Sequence, residues 1–369
     1  MNGTTSTIAP QQEQLSAPAK THSAKAYAAA SAGSGLAPTS IQRRAPQPQD
    51  VEIEILYCGV CHSDLHQVRD EWHAIMPTVY PCVPGHEIVG RVTRIGSAVK
   101  KFKEGDFAAV GCMVNSCGVC PNCREGLEQY CDNGFTLTYN GEDKILGGVT
   151  YGGYSDSIVV DEAFVLHVSP KVDLAATAPL LCAGITTYNA LRHSGALPGD
   201  LVAVQGIGGL GHLGIQFANK FGYQVAAIGR GPENAMLAKK LGASVYIDSA
   251  TANAAEALQK MGGARVILAT APNSKAMSEL INGLGPNGKL VVIGATFDPI
   301  EVAPVQLING SRTIQGWAAG TPADSEDTLH FAEISGVRPM IETYPLEKAA
   351  EAYARMLSGQ AQFRVVLTM

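Results

Sequence analysis

No apolar run in this 369-residue chain reaches transmembrane length, and no signal-peptide core opens it. A cytoplasmic residence with no membrane partner is therefore the expectation. Charged residues are scarce, at 16%, and the formal net charge is −6 with Lys and Arg dispersed. That excludes nucleic acid as a partner, because backbone phosphates demand a concentrated basic face. No arginine precedes Arg43. Residues 1–21, rich in Ser, Thr, Gln, Ala and Pro without periodicity, thus lack the Arg content of a transit peptide and read as a mobile tail. No internal repeat is present. What remains is a chain 46% hydrophobic, long enough for two domains with ordered cores.

Cysteine is plentiful, with nine residues, four of them crowded into Cys117–Cys131. Disulfide frameworks belong to short secreted chains, so clustered thiols here read as metal ligands. Cys117, Cys120, Cys123 and Cys131 can close an all-thiolate tetrahedral shell with no open position, the pattern of a structural zinc site. Three further candidates are scattered: Cys61 in G-V-C-H-S-D, His86 in P-G-H-E-I-V-G and Cys182 in L-L-C-A-G-I-T-T-Y. Spacing alone does not join them, and Cys58 pairs with Cys61 as C-x2-C, which leaves the choice between those two open.

The first part of the chain carries short β-like runs at 51–57, 87–95, 106–110 and 157–160. Near Leu180 the pattern changes to regular alternation. Strands are expected at 201–205, 224–228, 244–247, 266–269 and 290–293, and helices at 211–221, 234–241, 251–261 and 274–284. Such alternation predicts an α/β fold with a doubly wound parallel sheet of the Rossmann type. After about Gly336 one helix (346–357) and a final strand (363–367) are expected.

The segment L-V-A-V-Q-G-I-G-G-L-G-H runs from strand into helix with Gly206, Gly208 and Gly211 at the G-x-G-x-x-G positions and Gly209 and Leu210 between. The glycines allow a tight turn, close approach of a pyrophosphate and close helix–strand packing. The alternative is a glycine-rich turn with no ligand. The second strand ends at Gly229-Arg230, where a carboxylate that would accept NAD ribose hydroxyls is missing. An arginine there favours NADP(H), with NAD(H) or an ordinary solvated loop charge as alternatives.

Together, G-V-C-H-S-D-x-H, G-H-E-x-V-G, the four-cysteine loop, P-L-L-C-A-G-I-T-T-Y and G-I-G-G-L-G-H resemble the zinc-containing medium-chain alcohol dehydrogenases. They resemble in particular the cinnamyl-alcohol-dehydrogenase-like branch, with its bacterial broad-range aldehyde reductases. The Gly229-Arg230 pair departs from the Ser-rich loop common in that branch. The resemblance implies a GroES-like, mostly β catalytic domain (22–182), a dinucleotide-binding domain (183–320) and a return to the catalytic domain (321–369). It implies that Cys61, His86 and Cys182 hold a catalytic zinc. Glu87 is then either a fourth ligand at rest or a nearby structural carboxylate, and Asp64 orients the ligand histidine. Zinc would acidify an alcohol or polarise an aldehyde carbonyl while hydride passes to or from nicotinamide.

The resemblance also implies a proton path from Ser63 through a cofactor hydroxyl to His66, which otherwise is a plain surface histidine. His62 and Arg364 would contact cofactor phosphates, and Thr186 would press the nicotinamide ring. Trp72, Tyr80 and Trp317 would line the pocket, or serve as core or interface, and aromatic walls suit medium-chain or aromatic aldehydes. Cys58, Cys82 and Cys112 are left as small buried hydrophobes. The expectation is thus a zinc alcohol dehydrogenase or aldehyde reductase with two zincs and NADP(H), acting on a small-molecule substrate as a homodimer or homotetramer. The rivals are a polyol dehydrogenase, a zinc-ribbon binding module, and an enoyl or quinone reductase without catalytic zinc.

Overall fold

The computed structural model describes residues 20–369; most of the expected tail, residues 1–19, lies outside the described residues. Thr21 already belongs to a strand, Thr21–Ala29, which forms a nine-pair antiparallel hairpin with Leu36–Arg44.

The second half is a six-stranded, all-parallel sheet. Its strands lie in the spatial order Val245–Asp248, Gln224–Gly229, Leu201–Gln205, Ala264–Ala269, Leu284–Val292, Thr313–Gly316. Numbered along the chain, that order is 3-2-1-4-5-6, the dinucleotide-binding arrangement. The strand Leu201–Gln205 is buried at every position because both sheet faces are covered by helices. Its alternation still matters: Val202 and Val204 join one core, and Leu201 and Ala203 join the other. Order reverses between Leu201–Gln205 and Ala264–Ala269, and the crevice beyond their C-terminal ends is where ligands bind in such sheets.

The first half is a mixed sheet. Asp50–Val60 pairs with Ile88–Ile95 and Ser157–Asp161, and Ile88–Ile95 pairs with Phe107–Val110. The last strand, Arg364–Thr368, returns to pair antiparallel with Asp50–Val60. This return carries Arg364 to the seam between the two sheets.

Several elements differ from expectation. The helix expected at 274–284 stops at Leu280 and a 3-10 turn follows, with the next strand opening at Leu284 rather than 290. The helix expected at 251–261 spans Ala254–Lys260, because the Asn253 side chain caps it by accepting the Glu256 amide at 3.1 Å. The helix Pro322–Ser335 and the strands Thr313–Gly316 and Ile341–Pro345 were not anticipated. Among the described residues no single helix is long and apolar enough to cross a membrane.

Candidate active site

Cys61 directly follows the strand Asp50–Val60 and occupies the N-cap position of the helix His62–Val68. His86 and Glu87 immediately precede the strand Ile88–Ile95, and Cys182 caps the helix Ala183–Arg192. Three separate chain segments thereby converge. One donor atom from each of Cys61, His86, Glu87 and Cys182 lies within 4.8 Å of every other. The Cys61 and Cys182 sulfurs are 3.9 Å apart. Cys58, the other member of the C-x2-C pair, is fully buried in the first core and stays outside this set.

Asp64 fixes the arrangement. It is fully buried, and its carboxylate accepts the Cys61 amide at 2.9 Å and the Gly85 amide at 3.1 Å. Its Oδ1 lies 2.9 Å from His86 Nδ1. That contact assigns the ring proton to Nδ1 and turns Nε2 toward the sulfurs, the usual way a carboxylate orients a ligand imidazole.

Glu87 is equally buried. One oxygen is ion-paired with Arg364, and Oε2 has no protein partner. A buried oxygen left unpaired is costly unless something else satisfies it, and a metal among these donors would do so. Burial pushes the Glu87 carboxyl up to about 7 against the pull of Arg364. Gly59 makes the room: a Cβ there would lie 1.8 Å from Glu87 Oε2.

The second cluster is self-contained. Donor atoms of Cys117, Cys120, Cys123 and Cys131 lie within 4.8 Å of one another. Backbone amides point at its sulfurs, Cys120 N to Cys117 Sγ at 3.3 Å and Cys123 N to Cys120 Sγ at 3.4 Å. The Val119 amide, then Asn133 and the Cys120 amide, hold the Cys117 thiol down to about 6, so it favours the thiolate a metal requires.

At the crevice of the parallel sheet, Gly206 through Leu210 form the turn before the helix Gly211–Lys220. A Cβ at Gly211 would lie 1.9 Å from the Gly206 carbonyl oxygen, so only glycine lets helix and strand approach this closely. A Cβ at Gly208 would meet nothing within 4 Å, which leaves open space where a pyrophosphate fits. The Arg364 guanidinium lies 3.1 Å from the Cβ position of Gly209. This one side chain therefore touches both the glycine turn and the Glu87 carboxylate. Thr186 stands one helical turn after Cys182, its amide bonded to the Cys182 carbonyl at 2.9 Å.

The Gly229–Gly231 loop is held from beneath. Tyr246 donates its hydroxyl to the Gly231 carbonyl at 2.6 Å, and Asp248 accepts the Gly231 amide at 2.9 Å. Arg230 is exposed and makes no ion pair among the described residues.

His62, Ser63 and His66 share the short helix after Cys61, with Ser63 and His66 three residues apart on one face. Glu71, not singled out in the sequence, lies 2.5 Å from His66 Nδ1. Trp72 packs on His66 with centroids 5.3 Å apart. Tyr80 packs with Ala29, Val68, Cys82 and Tyr139, and its hydroxyl donates to the Val68 carbonyl at 2.8 Å. Trp317 stacks on His193 at 4.9 Å and borders a cavity with Val292, Ile293 and Gly294. Cys112, expected as a small buried hydrophobe, is half-buried, its thiol directed at the Leu181 carbonyl at 3.8 Å and at Cys182. Tyr139, also unforeseen, sits 5.7 Å from the His86 ring.

Known proteins share this fold. The alcohol dehydrogenase GroES-like domain model matches residues 47–170, and the zinc-binding dehydrogenase model matches residues 209–333. Aldehyde reductase YahK of Escherichia coli (strain K12) is 45% identical over 93% of this chain and 97% of its own length. The chain belongs to the medium-chain alcohol dehydrogenase family. NADP-dependent alcohol dehydrogenase C 1 of Mycolicibacterium smegmatis is a further relative of this dehydrogenase, at 43% identity over 93% of this chain and 97% of its own. Among solved structures, a cinnamyl alcohol dehydrogenase from Sorghum bicolor superposes with a TM-score of 0.86 at 36% identity, covering 94% of this chain and 98% of its own. The Helicobacter pylori enzyme complexed with NADP(H) gives 0.85 at 33%, covering 95% and 99%. The dehydrogenase thus falls in the cinnamyl-alcohol-dehydrogenase-like branch.

Proposed function

We propose that the protein is a zinc-dependent, NADP(H)-preferring alcohol dehydrogenase or aldehyde reductase acting on medium-chain or aromatic substrates. The observation that carries this reading is the convergence of Cys61, His86, Glu87 and Cys182 at a seam that Arg364 joins to the dinucleotide turn. Two Cys and one His leave one coordination position open, and the four-cysteine loop leaves none. The first set fits a catalytic zinc and the second a structural zinc, two per chain. Bound at the first set, zinc supplies Lewis acidity that lowers the pKa of an alcohol hydroxyl or polarises a carbonyl.

The chain's own residues do the rest. Asp64 holds His86 in the tautomer that offers Nε2. The glycine turn and Arg364 receive the cofactor diphosphate, with His62 beside them and Thr186 against the nicotinamide. Ser63 moves the proton of the reacting hydroxyl toward His66, which Glu71 orients and which passes it to solvent. Arg230 takes the 2′-phosphate of NADP(H). Trp72 and Trp317 supply aromatic wall, with Tyr80 behind it. A GroES-like catalytic domain (22–182 and 321–369) and a dinucleotide domain (183–320) divide these duties. A homodimer or homotetramer in the cytoplasm is the proposed working form.

A panel of alcohols and aldehydes assayed with both cofactors tests the reading. Turnover of medium-chain or aromatic aldehydes with NADPH at higher kcat/KM than with NADH is expected; polyol oxidation with NAD as the best activity would contradict it.

A further inference from the structure

His212 follows Gly211 and lies in the first turn of the helix beneath the phosphate turn. Its side chain is fully buried. Nδ1 lies 3.0 Å from the Gly208 carbonyl oxygen, which also accepts the His212 backbone N–H at 3.0 Å. Nε2 lies 3.3 Å from the Met340 amide nitrogen. An amide N–H can only donate, so Nε2 accepts and Nδ1 carries the proton toward Gly208. Burial pushes the imidazole down to about 4, which keeps it in the uncharged form that both contacts need.

The far side of this link leads to Arg364. The Met340 carbonyl accepts the amides of Phe363 at 2.9 Å and Arg364 at 3.0 Å. The Phe363 ring stacks on the imidazole with centroids 4.9 Å apart. His212 thus joins two stretches of chain 128 residues apart. On one side stand the amides of the glycine turn; on the other stands the guanidinium that lies against Gly209. A diphosphate held by both needs their separation fixed.

We propose that His212 is a positioning residue for dinucleotide binding, its two ring nitrogens tying the phosphate turn at Gly208 to the segment that carries Arg364. The inference rests on the dinucleotide reading above. Losing the Nε2 tie leaves the part-buried Met340 amide without its acceptor, and losing the Nδ1 tie leaves the Gly208 carbonyl with the His212 backbone N–H alone; either loss loosens the turn relative to the guanidinium.

Calorimetric titration of the full chain with ADP-ribose, which carries the diphosphate, and with AMP, which does not, tests the proposal. His212→Leu removes both ties. His212→Asn places a donor where Nδ1 was, and His212→Gln places an acceptor where Nε2 was. His212→Leu is expected to weaken ADP-ribose about tenfold or more while AMP changes less than about twofold. Asn and Gln are expected between wild type and Leu, with cofactor KM raised and kcat little changed. If Leu does not fold, ADP-ribose weakened in both Asn and Gln with AMP unaltered still supports the proposal. ADP-ribose affinity unchanged in every folded variant, or both ligands weakened equally, overturns it. Wild-type protein that fails to bind ADP-ribose overturns the dinucleotide reading itself, a result distinct from the other two.

Discussion

The Arg364 guanidinium is ion-paired with the Glu87 carboxylate, and both side chains are buried. The pair sits between the glycine turn and the Cys61, His86 and Cys182 donors, so it belongs to both halves of the site. Removing one member of a buried pair strands the other charge. Arg364→Ala should therefore destabilise the fold by about 3–5 kcal/mol and weaken NADPH binding as well. Urea unfolding together with NADPH titration checks both. A variant as stable as wild type would mean that Glu87 finds another partner.

Arg230 should discriminate between cofactors. A charge-assisted bond to the 2′-phosphate is worth roughly 1.5–3 kcal/mol, or about ten- to a hundredfold. Arg230→Ala should raise KM for NADPH by that order and leave KM for NADH nearly unchanged. Equal harm to both cofactors in steady-state kinetics would reduce Arg230 to a solvated loop charge. Gly229→Asp should shift preference toward NADH through phosphate repulsion, at a cost in stability. A Cβ there would lie 3.1 Å from both Ile207 and Tyr246, so its neighbours must give way.

Glu71 should act only through His66. Glu71→Gln keeps a side chain of the same length but removes the carboxylate from His66 Nδ1. A fall in kcat of about tenfold is expected, less than the roughly hundred- to ten-thousandfold of a whole general acid–base contribution because His66 itself remains, with NADPH affinity unaltered. Stopped-flow rates in both directions, with a His66→Ala variant alongside, check this. An additive loss in the double variant would show that the two act separately.

Much of the fold was legible because its signals are local. The strand Leu201–Gln205 and the helix Asn234–Leu241 lie at their expected bounds, set by an apolar run in one case and by Gly242, left-handed at the C-terminus, in the other. The helix Pro322–Ser335 was missed because its buried residues are Ser325, Thr328 and Ala332, which make no apolar stripe. Its ends were readable all the same: Thr321 caps it with Asp324 three residues on, Pro322 opens it and Gly336 closes it. The hairpin of Thr21–Ala29 was missed for a similar reason, since its buried positions Ala24, Ala26 and Ala28 alternate but are small.

The four-cysteine cluster could be read from spacing, because all four ligands sit within 15 residues of chain. Cys61, His86 and Cys182 could not be joined that way, since a contact spanning 121 residues leaves no periodic trace. Glu71 had no sequence signal of its own, and His212, although it closes the G-I-G-G-L-G-H motif, carried no role there; each is defined by what the fold brings to its ring or carboxylate.

Zinc content and turnover, measured together on wild type, Cys182→Ala and Cys123→Ala, decide whether Cys61, His86 and Cys182 hold a catalytic zinc. Wild type should hold two zincs per chain and reduce aldehydes with NADPH. Cys182→Ala should hold one zinc, melt close to wild type and lose turnover, since the four-cysteine loop and both cores are untouched. Cys123→Ala should also hold one zinc but melt lower, because its loop loses the ion that closes it. One zinc or none in the wild-type chain, or near-normal turnover in Cys182→Ala, would contradict a catalytic zinc at Cys61, His86 and Cys182.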